Sequence, residues 1–137
     1  MADPQSIETG LSSDTVPAAW DVLDNRTVDQ LLLREGAPSV IGTLINETPT
    51  PATRADALVD FAIAGNIPKL AEQAGAFRAW TEGYGLKRLT NALIELDRVL
   101  SLPTRGIAIL EAQALTRFIH THVTQDVEVL RKHITEK

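Results

Sequence analysis

Apolar residues recur at three- and four-residue steps along most of this chain, and prolines and glycines cut the pattern into segments. Steps of three and four line up side chains on one face of an α-helix, whereas a half-buried strand needs alternation by twos. No alternating stretch of useful length occurs. The expected fold class is therefore all-α, and what remains is where each helix starts and stops.

Residues 28–34 form a first short helix, with Thr27 as its cap, Asp29 in its first turn and Gly36 beyond its end. Residues 38–45 form a second, carrying Val40, Ile41, Leu44 and Ile45. The TPTP run at 48–51 interrupts it, because proline lacks an amide donor and disfavours helix in the preceding residue. Pro51 then suits the first turn of a third helix through Leu58, Phe61 and Ala62, closed at Gly65. Asn66 caps a fourth, whose stripe is Ile67, Leu70, Ala74, Phe77, Thr81 and Tyr84, and Gly83 and Gly85 bracket the next turn. A fifth carries Leu86, Leu89, Leu93, Leu96 and Leu100 and ends at Pro103. The last runs over residues 105–134 with Ile107, Leu110, Ala114 and Phe118, then Val127, Leu130 and Ile134.

Four long helices on short connections imply an up-down-up-down four-helix bundle over roughly residues 52–120, with short additional N-terminal helices. Its expected core includes Leu70, Phe77, Leu89, Leu93, Leu96, Leu110 and Phe118. Weak helix formers at Thr121, Val123, Thr124 and Val127 imply that residues past His122 extend beyond the bundle.

A length of 137 residues suits one domain, expected over residues 19–137 behind a polar, flexible lead of residues 1–18. An apolar fraction of 44% fits a globular chain. The absence of cysteine removes disulfides, thiolate metal sites and thiol nucleophiles, and fits a reducing compartment. The opening MADPQSIETG lacks the basic and apolar parts of a signal peptide, and no apolar run reaches membrane-spanning length. A cytoplasmic protein with no membrane partner is expected. The net charge is −5, with ten acidic against three basic residues in 1–65 and eight against ten in the remainder. Such a balance argues against nucleic acid as a partner, which calls for a concentrated basic face.

Residues 74–89 read AGAFRAWTEGYGLKRL. This stretch resembles the signature of histidine-containing phosphotransfer (HPt) domains, roughly A-H-x-L-K-G-x-x-x-x-L-G-x-x-x-L. With Tyr84-Gly85 on the family's L-G, Arg78 takes the place of its lysine and Phe77 that of its buried leucine. Ala79 replaces its glycine and Leu89 its next core leucine. The phosphoacceptor histidine falls on Gly75, which has no nitrogen to carry a phosphoryl group. The likeness extends over residues 22–100: Val22-Leu23-Asp24 with residues 27–36 looks like the family's opening helix. ALVDFAIAGNIPKLAEQA looks like its next helix, turn and the start of the phosphoacceptor helix.

The resemblance implies a degenerate HPt module. The docking surface for a response-regulator receiver domain or histidine kinase is kept while the nucleophile is gone. It implies no enzyme activity and no cofactor. On a helix Gly75 and Ala79 stack one turn apart, away from the Leu70/Phe77 stripe. Arg78 flanks them, and Glu72, Glu82 and Trp80 complete the expected partner-binding set. Gly75 also reads as ordinary helix packing, Arg78 as a solvated charge and Trp80 as a core-edge aromatic. Lys87 and Arg88 read as plain surface charges. No metal site is expected, since His120 and His122, two apart, point to different faces, one to the surface and one to the core margin. Two rival functions remain: an active phosphotransfer protein using His120 or His122, and a helical interaction or oligomerisation module unrelated to phosphorelay. The sequence leaves the oligomeric state unknown.

Overall fold

The computed structural model describes residues 21–103 and 105–136, and the expected lead, residues 1–18, lies outside them. The described residues form six helices and no strand: α1 (Asn25–Glu35), α2 (Ala37–Ile45), α3 (Pro51–Ala64), α4 (Ile67–Gly83), α5 (Lys87–Leu100) and α6 (Arg105–Thr135). The all-α expectation holds there.

Local chemistry sets most boundaries. Thr50 and Asn66 each accept a backbone N–H through the side chain, from Thr53 (3.1 Å) and Lys69 (3.3 Å), so α3 and α4 start on capped turns with proline in the first turn. Gly65 ends α3 in the left-handed conformation that glycine adopts without a Cβ clash. The cap of α1 is Asp24, not Thr27: its carboxylate accepts the Thr27 amide at 3.3 Å, which holds the Asp24 carboxyl below its ordinary value. The helix therefore begins three residues earlier than the apolar pattern suggests.

Helices α3 to α6 pack in a ring, each on the next and α6 back on α3. Neighbours run antiparallel. Asp56 meets His120 while Ala62 meets Gln113, and on the other flank Arg88 meets Asp126 while Arg98 lies near Glu111. Leu58, Leu70, Phe77, Leu89, Leu93, Leu96 and Ile119 are fully buried between them. The α4–α5 turn fixes α1 from the side. The Asp24 backbone N–H donates to the Gly85 carbonyl (2.8 Å) and the Arg88 backbone N–H donates to that of Val22 (3.3 Å). Gly85 has φ +71°, and a Cβ there would stand 2.7 Å from Val28 Cγ2, so only glycine fits.

Besides the cap of α1, three expectations fail, on α5 and α6. Leu110 and Ile107 are exposed, not core, and Phe118 is only half-buried. The inner stripe of α6 is instead Ala108, Ala112, Leu115, Ile119, Val123, Leu130 and Ile134. Nor does the chain leave the core after His122, since the last three of those residues are buried with Asp126. Asp126 already faces the start of α5, so the last turns of α6 do run past the starts of α3 and α5. They stay buried there beside α1 and α2, with His133 4.0 Å from Asp29 of α1. This tertiary burial outweighs the weak propensity of Val123 and its neighbours. Arg88 is not a surface charge. It is buried, with Nε donating to Asp126 Oδ2 (3.1 Å) and Nη2 to Oδ1 (2.5 Å). A guanidinium inside a helix packing needs such a bidentate carboxylate to offset desolvation.

Candidate functional site

The sequence of α4 divides the helix cleanly into two sides. Leu70, Ala74, Phe77 and Thr81 face the core. On the outside Ala71, Glu72, Gly75, Ala76, Ala79, Glu82 and Gly83 are all exposed. Ala71, Gly75, Ala79 and Gly83 recur every fourth residue, so they stack into a strip without side-chain relief. A Cβ at Gly75 or Gly83 would meet nothing within 4 Å. Packing among the described residues requires neither glycine, although Gly75, in the helix interior, costs roughly 1 kcal/mol against alanine.

Charged residues border the strip. Arg78 is half-buried, and its Nε lies 3.8 Å from Glu82 Oε1 without a hydrogen-bond partner. Glu72 pairs with Lys69 at 3.5 Å. Exposed pairs of this kind contribute little and exchange readily for a better partner. Trp80 lies on the opposite flank from Arg78, half-buried, with ring centroids 6.1 Å from Phe77 and 4.9 Å from Tyr84. Its indole N–H is shielded from solvent and has no acceptor among the described residues. Burial pushes the Tyr84 hydroxyl above its ordinary value, helped by Glu47 and Glu35. Glu82 also lines a cleft between α4 and α5 with Asp24, Thr27, Lys87, Thr90 and Asn91. The Thr90 hydroxyl is used within the fold, donating to Thr81 at 2.8 Å, which donates in turn to the Arg78 carbonyl at 3.1 Å.

The structure thus brings Gly75, Ala79, Glu72 and Glu82 to one exposed face with Arg78 at its edge. Trp80 belongs to the core margin. The histidines sit on α6, away from this face. His120 is exposed and its Nε2 lies 2.6 Å from Asp56 Oδ1 on α3. His122 is half-buried, its ring tilted against Phe118 with centroids 4.4 Å apart, and its Nδ1 is shielded and without a hydrogen-bond partner among the described residues. Burial lowers its pKa and the nearby Arg88 lowers it further, against a smaller opposing effect of Asp126. Two arrangements here were missed from sequence, the Asp56–His120 pair and the Arg88–Asp126 pair with His122 beside it. Only the i, i+4 spacing of His122 and Asp126 signalled the second. Among the described residues no three His, Asp or Glu side chains are grouped to hold a metal ion, and no helix is long and apolar enough to cross a membrane.

No family model, no curated protein and no solved structure matches the chain.

Proposed function

We propose that this chain is a non-catalytic, HPt-like four-helix bundle of up-down-up-down topology. Its α4 face engages a response-regulator receiver domain or histidine kinase in the cytoplasm without carrying phosphate. The observation behind this reading is Gly75. By the resemblance it takes the position of the family's nucleophile; it is exposed, and nothing among the described residues requires it to be glycine. A smooth strip through Ala71, Gly75, Ala79 and Gly83 lets another surface come close, and Arg78 stands where a cation meets an acidic receiver pocket. The protein then acts by occupying a docking surface, as competitor, adaptor or regulator.

A binding screen against receiver domains and kinases from the same cell tests this. Ala79→Trp leaves the fold intact, because the site is open to solvent, and abolishes docking by bulk. Arg78→Glu weakens docking, more at low salt than at high salt. If both variants bind every receiver and kinase as the wild type does, the α4 face is not the site, and an interaction module unrelated to phosphorelay becomes the better account.

One observation favours a second reading, an active phosphotransfer protein using His120. Its imidazole is exposed and oriented by the Asp56 carboxylate, as a nucleophilic histidine needs. His122, with a shielded Nδ1, is the poorer candidate. Acid-labile phosphate taken up from a phosphorylated receiver and lost in His120→Ala establishes that reading.

A further inference from the structure

The described chain begins at the rim of a cleft. The Val22 carbonyl accepts the Arg88 backbone N–H, and the Asp24 backbone N–H donates to the Gly85 carbonyl, so residues 22–24 lie along the start of α5. The Asp21 carboxylate stands 3.9 Å from Lys87 Nζ. Asp24 and Lys87 are themselves walls of a cleft of about 320 Å³, lined further by Thr27, Glu82, Asn91 and Ile94. Lys87, Asn91 and Ile94 follow at steps of four and three, on one face of α5. Ile94 is the one large apolar side chain among them and is 41% exposed. The half-buried Asn91 carboxamide makes no hydrogen bond among the described residues, and a group so placed calls for a partner. The carboxylates are engaged: Asp24 caps α1 and Glu82 faces Arg78 at 3.8 Å. The cleft thus offers an apolar surface, a cation at the rim and a free amide.

We propose that Trp20 of this chain occupies the cleft, with its ring against Ile94 and Lys87 and its indole N–H donating to Asn91 Oδ1. The start of the described chain selects this occupant. Trp20 immediately precedes Asp21, and consecutive Cα atoms lie about 3.8 Å apart, so its Cα is within about 8 Å of that of Val22, which is bonded to α5. A side chain tethered so closely meets the cleft at an effective concentration of roughly millimolar or above, which a free molecule has to match. The chemistry selects it too. Trp20 is the one aromatic residue in 1–20, and Pro17, Ala18 and Ala19 before it are small. An indole combines an apolar face, an attraction for a cation and a single donor, which are the three things the cleft offers. Glu82 also belongs to the α4 face, so a partner that covers this end of α4 has to accommodate Trp20. The docking of Trp20 itself does not depend on the phosphorelay reading.

Tryptophan fluorescence of the full chain tests it, because the chain has two tryptophans, Trp20 and Trp80. Trp20 is read alone in Trp80→Phe, and again as the difference between wild type and Trp20→Phe, which leaves Trp80 and its surroundings untouched. The expected Trp20 emission is blue-shifted from that of the urea-unfolded chain and protected from acrylamide, equally at every protein concentration. Ile94→Glu moves the emission to the solvated position and removes the protection. Circular dichroism keeps its helical signal in that variant, since Ile94 is already partly open to solvent. Leu110→Glu, at an exposed position of α6, changes neither reading. A Trp20 that emits and is quenched as in urea, a protection that survives Ile94→Glu, or one that grows with protein concentration overturns the proposal.

Discussion

Gly75 stands in the middle of a 17-residue helix with open space where a Cβ would be. Replacing it with alanine restricts the unfolded chain and suits the helix, so Gly75→Ala is expected to stabilise the fold by up to about 1 kcal/mol in a urea titration. A neutral or negative result would show that the backbone there is not a plain helix. His122 gives a pH dependence. Its folded pKa is depressed, so the unfolded chain binds the proton more readily. Stability is therefore full above the ordinary imidazole value of about 6.5 and falls as pH drops below it. Denaturation at pH 7.5 and pH 5.5 is expected to show a loss in the wild type that His122→Gln reduces. The lowered carboxylates of Asp24, Glu95 and Glu128 lose their contributions only at more acid pH.

At the scale of the elements, the join between α5 and α6 rests on one buried ion pair inside an apolar contact. Asp126 is fully buried and Arg88 nearly so. Asp126→Asn leaves a guanidinium in the packing without its counter-charge, at an expected cost of about 3 kcal/mol. Replacing both partners, as Arg88→Met with Asp126→Leu, is expected to recover most of that loss. A single variant as stable as wild type means that water reaches Arg88 and the site is wetter than its burial indicates. The start of α4 was legible because a cap is local chemistry: Asn66 lies three residues from the Lys69 amide it binds. The sequence reading misses the equally local Thr50 cap of α3, and at α1 it puts Thr27 in place of Asp24. The pairing of Arg88 with a residue 38 positions away was not legible, since nothing near Arg88 in sequence distinguishes it from Lys87.

For the whole molecule, the ring of α3 to α6 decides which residues the last helix contributes. Ending the chain after His122 removes buried Val123, Leu130 and Ile134 and the Asp126 counter-charge. Each apolar side chain accounts for about 1.5–3 kcal/mol of burial, a large share of a domain's margin of about 5–15 kcal/mol. The truncated protein is expected to lose cooperative thermal unfolding, and a sharp transition in it would show that residues 21–122 fold alone. The same ring puts α4 and α6 at opposite corners, which gives the molecule two separate exposed faces.

The sequence by itself determined that the described chain is helical, where most helices start and stop, and the inner face of α4 and α5. Periodicity, capping and proline act over a few residues, so they are written locally. The outer placement of Gly75 and Ala79 followed from the same spacing. The orientation of α6 was decided only by tertiary structure. Its first half offers two apolar stripes, Ile107–Leu110–Ala114 and Ala108–Ala112–Leu115, and periodicity favours the one with larger side chains. Contact with α3 and α5 selects the other, because small alanines let the helices pack closely and one face of a helix cannot meet both neighbours and solvent.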